Sequence, residues 1–267
     1  MYKFFISQKQ IDGETVTITG EDVNHIANVL RLKQLDKIIL CNKDEGKSYI
    51  SEIMQIEKSY IICKILEMVS ETTESNVNID LFQGLPKSDK MEYIIQKTTE
   101  IGVKNIYPVN FERCIVKLDS KSEAKKIDRW QKIAEVASKQ SKRDVIPNIN
   151  NVINIKNICQ NAKKYDIILI AYENEEKTTL KNELQKLKNN KLNKDIIEIS
   201  SNANCKSDST EKLKIGIVIG PEGGLSENEV AELMEAGAKS VSLGKRILRT
   251  ETAPLVMISD IIYEFDL

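Results

Sequence analysis

The chain has 267 residues, 41% of them hydrophobic and 30% charged, enough apolar material for one large domain or two ordinary ones. No window approaches the roughly 18 uninterrupted apolar residues of a membrane-spanning helix. Thirty-nine basic residues against 40 acidic ones leave a net charge of −1, which excludes a globally basic nucleic-acid binder but not a local basic face. The cysteines at 41, 63, 114, 159 and 205 form no C-x-x-C pair, and MYKFFISQKQ lacks the layout of a secretory signal. The expectation is a protein of the reducing cytoplasm without a disulfide framework or a metal site.

In chain order, YKFFIS, TVTIT, DKIILCN, SYISEIMQI and SYIICKILEMV read as short strands, with turn signals at Asp12-Gly13 and Glu45-Gly46. EDVNHIANVLRL interrupts them with apolar residues at 23, 26, 29 and 30, a helical spacing. Five strands and one helix suggest a small barrel over residues 1–72. The polar stretch 70–78 reads as a linker.

A second domain is expected over 73–267, where strands alternate with helices and imply an α/β fold with a largely parallel sheet. NIDLFQGL, KNIYPVN, VIPNIN, DIILIAYE, KLKIGIVIG and KSVSLG are its predicted strands. DKMEYIIQKTTEIG, residues 121 to 143, IKNICQNAKKY, SENEVAELMEAG and TAPLVMISDIIYEF are its helices. From 174 the chain begins as a Lys/Glu helix and then dissolves into a polar insertion at 185–212.

Two loops at strand ends concentrate chemistry. In IGIVIGPEGGLSENEV a buried strand runs into Gly220-Pro221-Glu222-Gly223-Gly224 and then a helix. Ser226 and Glu229 make a capping box there, and Leu225 with Val230 makes a hydrophobic staple. Ligands of open α/β sheets bind at such strand ends, yet neither common phosphate-loop pattern is present, and a purely structural turn is an equal reading. In VSLGKRILRTETAPL a strand-end loop carries Lys245, Arg246 and Arg249, cations suited to an anion or RNA contact. Arg249 is also placed to pair with Glu251 or Glu222 as a structural salt bridge.

The predicted helix at 121–143 brings Arg129, Lys132, Lys139 and Arg143 within an arc of roughly 80°, a local basic face suited to phosphates or simply to water. Arginine is scarce in this chain, with six residues, Arg31, Arg113, Arg129, Arg143, Arg246 and Arg249. Its rigid fork serves bidentate contacts that lysine does not. The single histidine, His25, lies in the small domain, so the large domain works without imidazole.

Six ordered segments together resemble the ribosomal RNA small subunit methyltransferase E family of the SPOUT methyltransferases. They are His25-x-x-x-Val29-Leu30-Arg31, residues 81–103, Glu112-Arg113-Cys114, residues 129–149, residues 219–229 and residues 243–255. The resemblance implies a PUA-like RNA-binding barrel followed by an α/β methyltransferase domain with a trefoil knot. It implies S-adenosylmethionine held by Ala171, Tyr172 and Glu173, by Ile219, Gly220, Pro221, Glu222, Gly223 and Gly224, and by Leu243, Gly244, Ile247, Leu248 and Arg249. It also implies a homodimer, and 3-methyluridine in the 16S ribosomal RNA of the small subunit as the product.

Uridine N3 is a weakly acidic imide nitrogen that must lose its proton. Arg249, with Arg246 second, is the candidate to stabilise the anion, and Glu222 or a water the candidate to take the proton. His25, Arg31, Arg113, Arg129, Lys132, Lys139 and Arg143 would hold the RNA. Ribose 2′-O-methylation and a non-catalytic RNA-binding or ribosome-assembly role are the rival readings.

Overall fold

A computed structural model describes residues 1–70, 72–201 and 212–266, apart from the side chains of 120 and 192–201. The chain forms two compact units, Met1–Glu74 with Glu135–Ile146, and Ser75–Ala134 with Pro147–Leu267.

The first unit is a mixed six-stranded sheet. Its strands are β1 (Lys3–Ile6), β2 (Ile11–Asp12), β3 (Thr15–Thr19), β4 (Lys37–Asn42), β5 (Lys47–Ile56) and β6 (Tyr60–Met68), in the order β1-β4-β5-β6-β3-β2. The β1–β4 pair is parallel and the others are antiparallel. Alternation sets one face inward, so Phe4, Ile6, Val16, Ile18, Ile38, Leu40, Ile53 and Ile61 form its core.

The predicted helix here is shorter and wider than expected. Helix α1 (Glu21–Asn24) passes directly into a π-helical segment, His25–Val29, closed by Leu30 N–H donating to His25 O at 2.9 Å. The wider turn breaks the i, i+3 register. Val23 and Ile26 stay buried, whereas Val29 is 63% exposed and leaves the apolar face the spacing assigned to it.

The same unit contains a buried polar cluster. Asp144 accepts hydrogen bonds from Lys3 Nζ at 2.7 Å, Ser48 Oγ at 2.9 Å, the Thr73 N–H at 2.7 Å and both threonine hydroxyls at 72 and 73. Glu74 accepts from the Arg143 guanidinium at 2.5 Å and from the N–H groups of Asp144 and Val145. Residues 72–74, expected as a plain linker, therefore clasp the segment 143–145.

The second unit is built on a six-stranded sheet of order β12-β10-β11-β7-β8-β9 in which every pair is parallel. The strands are β7 (Val77–Gly84), β8 (Asn105–Val109), β9 (Asn148–Ile149), β10 (Ile167–Ala171), β11 (Leu213–Ile219) and β12 (Lys239–Val241). Central β7 and β11 are buried along nearly their whole length, as a parallel sheet covered on both faces requires. The helices are α2 (Lys90–Ile101), α3 (Ser120–Gln140, which from Glu135 onward belongs to the first unit), α4 (Ile155–Asn161), α5 (Leu180–Ser201), α6 (Glu227–Glu235) and α7 (Ala253–Phe265). Helix α7 packs against α2, α5, β7 and β11.

Two helix ends depart from the sequence reading. Helix α3 stops at Gln140 and not at 143, because Lys142 takes a left-handed φ of 59°. Arg143 N–H then returns to Ser138 O at 3.0 Å and Lys142 N–H to Lys139 O at 3.3 Å, a Schellman stop made without glycine. Helix α5 runs on to Ser201, through residues expected to have dissolved into the insertion. The rest of that insertion, 202–211 with Cys205, lies outside the described residues. Among the described residues, no helix is long and apolar enough to cross a membrane.

Candidate active site

The carboxyl ends of β7, β10, β11 and β12 release four loops, and three of them, with the head of α2 and the start of α7, wall a cavity of about 370 Å³. That volume suits a ligand of nucleoside size. Ala171, Tyr172 and Glu173 line it from β10, and Ile219, Gly220, Pro221, Glu222 and Gly224 from β11. Leu243, Gly244, Arg246, Ile247, Leu248 and Arg249 line it from the loop after β12. Gly223 is not in the wall; its carbonyl accepts a hydrogen bond from Arg113 Nη1 at 3.0 Å.

The glycine loop has its shape for stated reasons. Gly224 has a φ of +69°, and a Cβ there would run into the carboxylate of Glu173. At Gly84, the last residue of β7, a Cβ would lie 2.6 Å from Pro221 N, so the strand end and the loop meet backbone to backbone. The capping box forms as the sequence predicts: Ser226 Oγ accepts from Glu229 N–H, and Glu229 Oε2 accepts from Ser226 N–H at 2.9 Å. The other oxygen of Glu229 takes the N–H of Glu112 at 2.7 Å, tying the Glu112-Arg113 segment to the head of α6.

The acidic residues of the site find a partner that the motifs did not point to. Lys90, the first residue of α2, reaches Glu222 at 3.1 Å and Glu251 at 3.2 Å. The ion pairs foreseen between Arg249 and either glutamate are thus replaced by pairs to lysine. Burial pushes the Glu222 carboxyl up, but its own N–H, Lys90 and the N–H of Lys87 outweigh this and hold its pKa below the usual value. The two glutamates in turn raise the pKa of Lys90. Glu222 is thus held in its ionised form. Arg246 and Arg249 are exposed at the cavity rim.

A second set of residues was also missed. Gln83, fully buried, donates from Nε2 to Thr250 Oγ1 at 2.9 Å and to Gly84 O at 3.1 Å, and Thr250 Oγ1 donates to Gly220 O at 2.7 Å. A lone Gln at a strand end and a Thr in a TET run carry no pattern that announces this contact across 167 residues.

The predicted RNA-facing residues separate into different situations. On the first unit His25 and Arg31 are exposed; His25 sits edge-on to Phe4, 6.0 Å between ring centroids, and Arg31 holds a left-handed φ of 54°. Lys139 is paired with Asp22 at 2.8 Å and Glu135 at 3.1 Å. Arg143 is 5% exposed and bound to Glu74, so it does not lie on the basic helix face where the sequence placed it. Its guanidinium is spent inside the fold. On the second unit Arg113, Arg129 and Lys132 are exposed, with Arg129 reaching Glu92 at 2.8 Å.

Comparison with known proteins gives this site its class. A family described as the RNA methyltransferase domain matches residues 73–262, and one described as the RNA methyltransferase PUA domain matches residues 18–66. The fold and its strand-end cavity are therefore those of an RNA methyltransferase. Ribosomal RNA small subunit methyltransferase E of Bacillus subtilis is 37% identical over 100% of this chain and 98% of its own. Its counterpart in Mesomycoplasma hyopneumoniae is 30% identical over 97% and 98%. The crystal structure of the Neisseria gonorrhoeae enzyme of that name, bound to S-adenosyl methionine, superposes with a TM-score of 0.75 at 31% identity, covering 98% of this chain and 97% of that one. The chain belongs to the ribosomal RNA small subunit methyltransferase E family.

Proposed function

We propose that this enzyme transfers a methyl group from S-adenosylmethionine to N3 of a uridine in 16S ribosomal RNA of the small subunit. The observation that carries the reading is the convergence of three strand-end loops on one cavity. The donor set fits the cofactor. Ile219, Leu243, Ile247 and Leu248 offer apolar surface to an adenine, and the backbone of 219–224 and 243–249 offers polar groups to its edge. Glu173 and the rim cations offer partners to hydroxyls, ammonium and carboxylate. When bound, the cofactor supplies an electrophilic methyl group on a sulfonium.

The remaining work belongs to the chain. The cavity walls exclude water and align the acceptor. Arg249, with Arg246 beside it, stabilises the negative charge that develops on the uracil ring as N3 loses its proton. Glu222 holds Lys90 and shapes the glycine loop, while solvent takes the proton. His25 and Arg31 on the PUA-like unit, and Arg113, Arg129 and Lys132 on the methyltransferase unit, orient the RNA, whose target base must leave its stack before it reacts. We further read the C-terminal part of the α/β unit as a trefoil knot of the SPOUT type, the working form as a homodimer, and the compartment as the cytoplasm.

The test is methyl transfer from labelled S-adenosylmethionine to small subunits from a strain lacking the enzyme, followed by nucleoside mass spectrometry. A single 3-methyluridine is expected. A methyl group on ribose would replace the acceptor, and binding of the cofactor without transfer would replace the substrate. Arg249→Ala is expected to all but abolish transfer, leaving about a thousandth of the parent rate, with cofactor affinity largely kept; an equal loss of affinity would make Arg249 a wall of the pocket instead.

A further inference from the structure

Arg249 lies on an exposed loop, and nothing in that loop's own sequence makes it rigid. The residues that follow it are held, however, by two bridges of the same plan. In the first, Gln83 at the end of β7 donates to Thr250 Oγ1 at 2.9 Å, and that hydroxyl donates to Gly220 O at 2.7 Å. In the second, Lys90 at the head of α2 joins Glu251 at 3.2 Å to Glu222 at 3.1 Å. Each bridge links a residue flanking the β7–α2 connection to the glycine loop after β11 and to the segment just after Arg249.

The two differ in physical character. The first is neutral and sealed: Gln83 is fully buried and Thr250 is 7% exposed. Its orientation is determined, because the proton of Thr250 goes to Gly220 O and only the amide nitrogen of Gln83 faces Thr250 and Gly84 O. The second is charged and half-open, with the Lys90 side chain 33% exposed. Arg249 itself closes the start of α7, its carbonyl accepting from Thr252 N–H at 2.8 Å and Ala253 N–H at 3.0 Å. Its backbone is thus fixed on the helix side by α7 and on the cavity side by the bridges.

We infer that Gln83 and Lys90 are positioning residues for Arg249, acting through Thr250 and Glu251. This rests on the reaction proposed above. Displacement of a catalytic group by about 1 Å can cost about a hundredfold in rate.

The experiment measures kcat on small ribosomal subunits, cofactor affinity by calorimetry, and thermal stability, for Gln83→Leu, Thr250→Val, Thr250→Ser and Lys90→Met. Thr250→Val and Gln83→Leu are expected to lower kcat by about a hundredfold while cofactor affinity changes by less than about threefold, with Thr250→Ser close to the parent. Lys90→Met, at a half-exposed position that does not endanger folding, is expected to lower kcat by about tenfold. In an Arg249→Ala background that retains measurable residual transfer, none of these changes costs anything further, because they act through the arginine. Unchanged kcat in Lys90→Met and Thr250→Val, or additive losses in that background, overturns the inference. A kcat loss matched by an equal loss of cofactor affinity overturns it as well, since the bridges then build the pocket. Absence of transfer by the unaltered protein overturns the reaction and the inference together, whereas an active parent with active variants overturns the inference alone.

Discussion

Removing the charge of Asp144 is expected to destabilise the PUA-like unit more than any surface change. Its side chain is 6% exposed, and Lys3, its ion-pair partner, is 9% exposed. Burial pushes the Asp144 carboxyl up, but Lys3, the Thr73 N–H and Ser48 outweigh burial and bring its pKa from 3.8 to about 2. A shift of that size corresponds to about 2 kcal/mol of preference for the ionised form in the folded state. Asp144→Asn loses this and leaves the Lys3 ammonium buried without a counter-charge, for a total of about 3 kcal/mol at neutral pH. The folded pKa lies below the unfolded one, so the contribution is complete above about pH 4 and vanishes as pH falls through about 2. Urea unfolding followed by circular dichroism, with hydrogen exchange on the β1 and β5 amides, measures the loss. The gap between parent and variant should close over that acid window. In a Lys3→Met background the Asn substitution should cost less. A loss below about 0.5 kcal/mol at neutral pH, or a gap unaffected by acid, would refute the argument from a buried ion pair.

Other expectations follow from the site. Glu222, held below its ordinary pKa, is ionised at every working pH, so Glu222→Gln should change the rate of methyl transfer but not the shape of its pH profile; an inflection lost in the variant would make it the titrating base. Gly224→Ala should lower cofactor affinity and melting temperature together, at about 1–3 kcal/mol for a left-handed residue, since the new Cβ meets Glu173. Arg143→Ala should behave as a stability mutant, losing about 2 kcal/mol because Glu74, its side chain 16% exposed, keeps its charge without its partner. Lys132→Ala should leave the melting temperature unchanged and lower the salt dependence of RNA binding by about one unit of slope.

Much of this was readable because local signals and global fold agree. Strands β7 through β12 and helices α2, α4, α6 and α7 follow apolar runs and periods that tertiary structure did not override. Gly102 and Gly237, both with positive φ, end α2 and α6 where glycine announces a stop. The end of α3 was illegible because Lys142 adopts the conformation glycine usually takes, and no residue preference encodes that choice. With Arg143 displaced from the helix face and drawn to Glu74, a basic stripe legible in the sequence lost one of its members. Two loops of the cavity, after β11 and β12, were legible as strand ends, and the third, after β10, came with the family resemblance. Gln83, Lys90 and Thr250 were not, because each is an unremarkable residue whose meaning lies in partners more than a hundred positions away.

The central position of β7 also governs how the chain is made. Strand β7 pairs with β8, which follows soon after, and with β11, whose Leu213 lies opposite Val77. During synthesis at about 5–20 residues per second, β11 emerges roughly seven to twenty-seven seconds after β7. Throughout that interval one edge of VNIDLFQG is a free template for other strands. The polar residues within it, Asn78, Asp80 and Gln83, interrupt what would otherwise be an apolar, aggregation-prone window. In the finished sheet Asp80 is claimed by Asn105 and Tyr165 and Gln83 by Thr250. Side chains that guard a nascent edge thus become the buried fastenings of the mature enzyme.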